Sequence, residues 1–453
     1  MSIIVLCCVG LTPAHLGSDT PHLTALANEG FAAPLRGVLP AVTTTAQATM
    51  MTGLPPSGHG IVGNGWYFRE LGEVWLWRQS EKLIQAPCVW DTVRKQRPGL
   101  KVLKHFWWHA LNTSADASVT PRPVYHHDGR KSPDCYAWPA ELKNKLTEKH
   151  GTFPLFSFWG PTAGIASTRW IADSFATSFA HTRPDLALVY LPHLDYDLQR
   201  FGPHGPHLAR NLRELDAEAG KVIATARAAG ADVVVVSEYG IAAVDQGVFL
   251  NRRLREAGLL NVVANAAGEL LDYGTSRAFA VCDHQLAHIY CRDAAAVAAA
   301  RRALAGCEGL ASLHSGSERV ALGLDHARSG EIVALAAPGA WFAYDYWLDE
   351  TLRPDFARCV EIHKKPGYDP RELFFDPQGG KRRAMCALAR KMLGLRYIMD
   401  PVPLDPTLVK GSHGLAPARS ENGPVIIASR RDWAREAWAM TDVAPLLAGA
   451  LAT

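Results

Sequence analysis

The sequence predicts an α/β protein with a mainly parallel central sheet, helices on both faces of that sheet, and an inserted α+β cap. First, short and continuously apolar runs alternate with longer segments of helical spacing, a pattern typical of strands buried on both faces. Second, the 453 residues are 48% hydrophobic and 20% charged, which is enough apolar material for a large core. Third, the alternation breaks in the second half of the chain.

Four apolar runs are predicted as strands, and the segments between them supply helices. The predicted strands are Ile3–Cys8, Leu186–Leu191, Asp232–Val236 and Val425–Ala428. The predicted helices are Pro21–Gly30, which ends at a glycine suited to a C-cap, and Leu208–Gly230. In parallel sheets, ligands bind at the carboxyl ends of strands, so the polar residues that follow these runs are the candidates for a site.

The cap is predicted from a change of pattern within residues 262–394. This stretch contains an Ala-rich helix at 294–305, several short strand-like runs and an aromatic piece at 341–347. The predicted organisation is therefore a core formed by residues 1–261 and 395–453, with 262–394 inserted.

Charge, cysteine usage and hydropathy exclude several classes of partner. The net charge of +3 comes without a long basic run with interleaved aromatics, so no nucleic-acid partner is predicted. No apolar run approaches the ~20 residues that span a bilayer, so no membrane partner is predicted. The opening apolar residues lack a basic leader and are interpreted as a strand. Nine cysteines without a CxxC pair favour reduced thiols and a cytoplasmic location.

Four polar residues follow strand-like or loop segments in an order that points to one site. These are Thr43, Asp195, Glu238 and His413. Each alone has an ordinary explanation, since Thr and Asp often cap helices and a His between small residues is often a loop residue. Together they form an oxygen and nitrogen set that suits a divalent cation, and a cation beside a hydroxyl would make it a better nucleophile.

These segments resemble the nucleotide pyrophosphatase/phosphodiesterase branch of the alkaline phosphatase superfamily, a group that includes phosphonoacetate hydrolase. The resemblance rests on the order of the motifs, which are PAVTTT at 40–45, MTG at 51–53, HGI at 59–61, LPHLDYD at 191–197, SEYG at 237–240 and KGSHG at 410–414. It implies an alkaline phosphatase-like fold and metal-dependent hydrolysis of phosphoric esters. In the family the nucleophile lies nine residues before the Thr of the T-G turn, which selects Thr43.

The same resemblance implies two metal sites, and this chain has only some of the ligands of those sites. Asp195, Thr43 and His413 match the family's ligand positions. Four other positions have changed: Val9 stands for an Asp, Gln199 for a His, and Glu238-Tyr239 for an Asp-His pair. The prediction is therefore one divalent ion rather than two, either Zn, Mn or Fe, held by Asp195, Glu238, His413 and Thr43.

Further polar residues are candidates for an additional metal or polar site. His284 and His288 are predicted on one face of a strand, four residues apart, and the alternative is that both are hydrogen-bonded histidines at the junction of cap and core. The full set is His193, Asp197, Gln199, Tyr239, Asp283, His284 and His288.

Substrate-binding candidates lie in two further segments. Lys364 and Lys365, after His363 and before a Pro-Gly turn, could present cations to an oxyanion, although a solvated turn explains them equally well. Asn64 is a candidate substitute for a family Asn, because that position is Ala46 here.

The predicted function is hydrolysis of a phosphodiester, pyrophosphate or phosphomonoester bond in a small molecule, with Thr43 as nucleophile. One alternative is a non-hydrolytic or phosphoryl-transfer enzyme of a biosynthetic pathway with a degenerate metal site. A second is hydrolysis of a phosphonate C–P bond. Association into a homo-oligomer is left open.

Overall fold

The computed structural model describes residues 2–128 and 130–452. They form two compact units, here called the core unit (Met1–Ile61, Gln79–Ile241 and Ala416–Thr453) and the inserted unit (Val62–Arg78 and Ala242–Leu415). Within the described residues, no helix combines the length and apolar character needed to cross a membrane.

A nine-stranded sheet forms the centre of the core unit. Its five central strands are mutually parallel, and the flanking pairs include antiparallel ones, which confirms the predicted mainly parallel sheet. The strands, in order across the sheet, are Trp438–Ala439, Phe31–Arg36, Val425–Ala428, Asp232–Val236, Ile3–Cys8, Leu186–Leu191, Val102–His105, Ala117–Pro121 and Cys135–Trp138.

The central strands are apolar throughout because neighbours cover both of their faces. Every residue of Ile3–Cys8 and Leu186–Leu191 is buried, as expected for strands at the middle of a parallel sheet. The core unit also contains a short hairpin of Val124–Tyr125 and Lys131–Ser132. Its helices are Pro21–Glu29, Thr43–Thr52, Pro56–His59, Val89–Val93, Ala140–His150, Ile165–Thr182, His193–Phe201, Leu208–Ala228 and Val443–Ala452.

The inserted unit is built from small sheets. A four-stranded sheet runs in the order Ala278–Asp283, Leu286–Cys291, Ile332–Ala336 and Leu310–Ser315, and a three-stranded one in the order Gly339–Phe342, Ala242–Val248 and Gly411–Ser412. Two hairpins join Val262–Asn265 to Gly268–Leu271 and Gly65–Phe68 to Glu73–Leu76. The helices are Leu250–Glu256, Ala294–Leu304 and Gly380–Met392.

The inserted unit is larger than the predicted cap at 262–394. Strand Ala242–Val248 pairs with Gly339–Phe342 and with Gly411–Ser412, which brings residues before 262 and after 394 into this unit. The hairpin at 65–76 joins it as well, because the ring of Tyr67 packs against Phe279 and Tyr290 at centroid distances of 5.1 and 5.4 Å. These pairings are long-range in sequence, so a change in local pattern could not reveal them.

Candidate active site

Thr43 is the first residue of the buried helix Thr43–Thr52, with extended Val42 as its N-cap. The helix follows strand Phe31–Arg36, and the side chain of Thr43 is almost fully buried. Because the first turn of a helix leaves N–H groups without intrahelical partners, an anionic group beside Thr43 would be stabilised.

Asp195 and Tyr239 connect to Thr43 through hydrogen bonds. The Tyr239 hydroxyl donates to Asp195 Oδ1 over 3.2 Å and lies 3.3 Å from the Thr43 hydroxyl. Gln199 Nε2 donates to Asp195 Oδ2 over 2.7 Å, from one turn further along the helix His193–Phe201. Both carboxylate oxygens of Asp195 therefore accept hydrogen bonds from side chains at positions where the family resemblance has metal-binding histidines.

Glu238 lies in the same buried site. Its Oε1 accepts a hydrogen bond of 2.6 Å from Gln47 Nε2, and Cys7 Sγ lies 3.6 Å from the same oxygen. The Thr43 hydroxyl also hydrogen bonds to this carboxylate. Glu238 Oε2 is buried without a hydrogen-bond partner in the part of the chain that the structure describes. The structure thus brings Thr43, Asp195 and Glu238 together at the carboxyl ends of the central strands.

Gln47 and Cys7 also contact Glu238 in this site, and neither is among the residues predicted from the sequence. The orientation of the Gln47 amide is fixed, because its Oε1 accepts a hydrogen bond of 2.8 Å from the Trp108 backbone N–H. Its Nε2 must then face Glu238. A signal for Gln47 was present, since a residue four positions after Thr43 lies on the same side of a helix. Cys7 carries no comparable signal within an apolar strand.

Burial raises the pKa of both carboxyl groups. The pKa of Asp195 rises from 3.8 to about 7 because the group is desolvated, although hydrogen bonds from Tyr239 and Gln199 oppose the shift. Burial also raises the pKa of Glu238, from 4.5 to about 8; hydrogen bonds from Gln47 and Thr43 lower it, and the charge of Asp195 raises it further. Both groups therefore bind a proton, or a cation, much more readily than exposed carboxylates do.

The stability of metal-free protein is expected to depend on these two groups. Both bind protons more tightly in the folded than in the unfolded chain, so their contribution is complete below about pH 4 and is lost as pH rises through about 7 to 8. Between those limits the wild-type free energy of unfolding should fall by roughly a few kcal/mol relative to the double variant Asp195→Asn with Glu238→Gln. Urea unfolding in chelator at several pH values measures this difference. Parallel pH profiles for the two proteins would contradict the assignment.

His193 and Asp197 have other partners within the core unit. His193 Nε2 lies 2.9 Å from Glu214 Oε2. Asp197 accepts hydrogen bonds of 3.0 Å each from Arg200 and Asn211. Burial alone would raise the pKa of Asp197, but these hydrogen bonds outweigh it and the pKa is lowered. Glu214 and Asn211 belong to the helix Leu208–Ala228, and Arg200 belongs to the same helix as Asp197. We therefore assign His193 and Asp197 to polar contacts within and between these two helices, and not to a second metal site.

In the inserted unit, Asn64 hydrogen bonds to Asp283. The backbone N–H and the side-chain amide of Asn64 donate to the two oxygens of Asp283 over 2.7 and 3.1 Å. Burial raises the pKa of Asp283 to about 7, against these hydrogen bonds. Because the Asn64 amide donates a hydrogen bond to a carboxylate of its own unit, we do not propose Asn64 as a phosphoryl-binding group.

The prediction that His284 and His288 share one face of a strand is wrong. His284 lies in the two-residue turn between strands Ala278–Asp283 and Leu286–Cys291, with a φ of 63°. His288 lies in the second strand, where Nε2 is 2.9 Å from the carbonyl oxygen of Val62 and Nδ1 accepts from the Gly330 N–H. His288 is thus a hydrogen-bonded structural histidine, the alternative that the sequence left open.

The rings of His284 and His413 lie in contact in the inserted unit, tilted by 34° to each other. Their ring centroids are 3.5 Å apart, and His284 stacks on Tyr368 at 3.8 Å. Burial, with a contribution from the His413 charge, holds the pKa of His284 well below its usual value, so this ring is neutral. His284 Nδ1 has no hydrogen-bond partner among the residues described.

The two lysines predicted to bind substrate have different environments in the structure. Lys365 is buried and forms ion pairs of 2.8 Å with Asp369 and 2.7 Å with Glu372, so its charge is matched by carboxylates of its own unit. His363 and exposed Lys364 instead line a cavity of about 510 Å³, together with Trp75 and Tyr273. Of the two lysines, Lys364 alone is placed to meet a ligand in that cavity.

Among the described residues, the side chains of the core unit do not form a complete metal site, although one of their carboxylate oxygens is suited to a cation. Across residues 2–128 and 130–452, no three His, Cys, Asp or Glu side chains form a group that could hold a metal ion. Glu238 Oε2 is nevertheless a buried oxygen that lacks a hydrogen-bond partner among the described residues, next to the Thr43 hydroxyl that bonds the same carboxylate. Such an oxygen suits a cation. The Asp195 oxygens, already held by Tyr239 and Gln199, fit a second ion poorly.

Comparison with known proteins identifies the family. A family model described as type I phosphodiesterase / nucleotide pyrophosphatase matches residues 3–369. The chain therefore belongs to the type I phosphodiesterase / nucleotide pyrophosphatase family, as its motifs predicted. An uncharacterized pyrophosphatase/phosphodiesterase of Schizosaccharomyces pombe is 26% identical over 230 residues, which is 49% of this chain and 41% of that protein. The chain thus spans about two fifths of the length of this curated relative.

Solved structures confirm the alkaline phosphatase-like fold. Murine ectonucleotide pyrophosphatase / phosphodiesterase 5 has a TM-score of 0.59 and 17% identity, covering 100% of this chain and 95% of its own. Phosphonoacetate hydrolase from Sinorhizobium meliloti 1021, in complex with phosphonoformate, has a TM-score of 0.59 and 15% identity, covering 100% and 96%. At these identities the likeness establishes the fold alone.

Proposed function

We propose that this protein hydrolyses a phosphodiester, pyrophosphate or phosphomonoester bond of a small molecule, with Thr43 as the nucleophile. The observation that carries the proposal is the buried hydrogen-bonded path from the Thr43 hydroxyl through Tyr239 to Asp195, with distances of 3.3 and 3.2 Å. Membership of the family supports the reaction class. A murine relative has also been solved as an inactive threonine-to-alanine variant in complex with AMP, which supports a threonine nucleophile by analogy.

The path provides a route for the nucleophile's proton. Thr43 Oγ1 attacks phosphorus, forming an O–P bond as the bond to the leaving oxygen breaks. The Thr43 proton passes to the Tyr239 oxygen, and the Tyr239 proton passes to Asp195 Oδ1. Water then attacks phosphorus and breaks the bond to Thr43 Oγ1; the water loses one proton to solvent, and the proton held by Asp195 returns along the same path to the Thr43 oxygen. The leaving oxygen takes its proton from solvent.

Asp195 therefore acts as a proton acceptor in this proposal and not as a metal ligand. A pKa raised to about 7 by burial makes it a stronger base than an exposed aspartate and matches it to neutral pH. Gln199, which donates to the other carboxylate oxygen, holds the group in place.

Glu238 and Thr43 are the residues of the core unit that would hold a single divalent ion. When bound, such an ion would supply charge stabilisation for the phosphoryl oxygens. The identity of the metal (Zn, Mn or Fe) and the participation of His413 stay predictions.

Metal content is expected not to exceed one divalent equivalent per chain in protein purified without chelators. Glu238→Gln should lower whatever content the wild type has, because it removes the anionic oxygen that lacks a hydrogen bond. Asp197→Asn is the matched control, since Asp197 lies near the site in sequence but pairs with Arg200. Elemental analysis after gel filtration measures both. Two equivalents of metal in the wild type would contradict the single-ion assignment.

Activity is tested with a panel of aryl phosphodiesters, dinucleotides, nucleoside triphosphates, aryl phosphomonoesters and phosphonoacetate. Turnover of an ester or pyrophosphate that is lost in Thr43→Ala supports the proposal. Phosphate release from the phosphonate alone would favour the C–P hydrolase instead. If no member of the panel turns over with any added divalent ion, the non-hydrolytic alternative becomes the better account, as the four changed ligand positions suggest.

The predicted cytoplasmic location also stays a prediction. All nine cysteines are free thiols in the structure, which agrees with a reducing compartment.

A further inference from the structure

The charged side chains of the helix Gly380–Met392 and of the segment after it are all positive. Residues 380–399, here called the basic segment, contain six basic side chains and no Asp or Glu, the basic ones being Lys381, Arg382, Arg383, Arg390, Lys391 and Arg396. Arg383 is paired with Asp376 and Asp400, which flank the segment. The other cations face an exposed surface that has no carboxylate of its own.

The basic segment also exposes an unusual amount of apolar surface. In the helix, Met385, Leu388 and Met392 are 71%, 49% and 86% exposed. Their spacing of three and four residues places them on one side of the helix. The buried residues of this helix are small, Gly380 and Ala387. Surface helices ordinarily turn their apolar stripe toward the core, whereas this one turns it outward.

The apolar surface continues past the end of the helix. Leu393, Leu395 and Ile398 are 74%, 50% and 63% exposed. Contiguous exposed apolar residues rimmed by charge mark an interaction surface. Lys381 lies one helical turn before Met385, and Lys391 lies three residues after Leu388, so cations border the apolar stripe at both ends.

We propose that the basic segment docks the protein peripherally on an anionic lipid bilayer. Its outward apolar stripe would enter the boundary between headgroups and acyl chains, and the bordering Lys and Arg side chains would pair with anionic headgroups. The sequence predicted no membrane partner because no apolar run could span a bilayer, but an interfacial helix needs no such run. This inference is independent of the proposed function.

Charge complementarity favours an anionic bilayer over a second copy of the chain as the partner of the basic segment. A two-fold contact through this surface would place the same five basic residues, all but Arg383, against each other, because each protomer contributes the same patch. Such like-charge contact opposes association, whereas a surface of anionic headgroups neutralises each of these cations.

Vesicle co-sedimentation of the full chain tests the proposal. With sucrose-loaded vesicles, binding to phosphatidylcholine that contains phosphatidylserine should exceed binding to phosphatidylcholine alone by at least about tenfold, and added salt should weaken it. The double variant Met392→Ser with Leu393→Ser should lose most of the binding, and so should Lys381→Gln with Lys391→Gln.

Matched controls come from the inserted unit itself. Leu71 and Val320 are also exposed, at 53% and 58%, and Leu71→Ser with Val320→Ser should bind as the wild type does. Arg277→Gln with Arg302→Gln removes two exposed cations outside the segment and should likewise leave binding unchanged. Circular dichroism confirms that each variant is folded.

Three results would overturn the proposal. One is equal or absent binding to both kinds of vesicle by folded wild type. Another is undiminished binding by both variants of the basic segment. The third is a wild-type dimer, seen by light scattering, that Met392→Ser with Leu393→Ser converts to a monomer, because the stripe would then be covered by a second copy.

Discussion

Thr43→Ala is expected to abolish phosphoester turnover while leaving the fold intact. Removal of the hydroxyl takes away the nucleophile itself, a loss of several kcal/mol in transition-state stabilisation and so of more than about a thousandfold in kcat. Thr43→Ser keeps a hydroxyl at the start of the helix and should retain measurable turnover. Steady-state kinetics on the best substrate of the panel gives all three rates.

Two neighbours provide the matched controls for this prediction. Thr44 and Thr45 are buried in the same helix turn, and replacing Thr44 with alanine should cost about 1 kcal/mol of stability and little activity. If Thr45→Ala lost turnover and Thr43→Ala kept it, the nucleophile would be misassigned and the family register with it.

Arg371→Ala is expected to destabilise the inserted unit by about 3–5 kcal/mol, because it leaves the buried carboxylate of Asp345 without the guanidinium that pairs with both of its oxygens. Arg371 is fully buried, donates to both oxygens of Asp345 over 3.0 and 2.6 Å, and donates to Asp369 Oδ1 over 2.7 Å. Urea unfolding, with hydrogen exchange of inserted-unit peptides, measures the loss. Arg302→Ala, at an exposed position in this unit, should change stability by less than about 0.5 kcal/mol. Equal effects of the two changes would contradict the account of the buried charge cluster.

The strands of the core could be predicted closely because burial on both faces leaves a plain signal in sequence. The predicted bounds of Ile3–Cys8, Leu186–Leu191, Asp232–Val236 and Val425–Ala428 coincide with the observed strands. The direction of the last one could not be predicted. It runs antiparallel to both of its neighbours, a property of chain path that an apolar run does not encode.

The inserted unit was predicted less well because distant contacts define it. Placing Tyr67 against Phe279 and Tyr290 requires knowledge of contacts across more than 200 residues. The strand position predicted for His284 is wrong for a local reason. Its backbone has a positive φ of 63°, which residues other than glycine adopt uncommonly, so a turn was not expected within an apparently continuous strand.

The candidate site was predicted by the rule that ligands bind at the carboxyl ends of parallel strands, and its function as a site stays a prediction. That rule selected Thr43, Asp195 and Glu238. It could not show that Gln199 and Gln47 donate hydrogen bonds to the two carboxylates, since the role of an amide depends on which group it faces. These donors change the expected chemistry, because they hold carboxylate oxygens where the family resemblance implies metal ions.

Trapping of the covalent intermediate tests the central claim, that Thr43 is the nucleophile, most directly. Wild-type protein is mixed with an excess of its best ester substrate, quenched in acid within the first turnover, digested and mapped by mass spectrometry. The account predicts a phosphoryl or phosphodiester adduct on Thr43, absent from Thr43→Ala. An adduct on a different residue, or turnover that inverts configuration at phosphorus without any adduct, would contradict it.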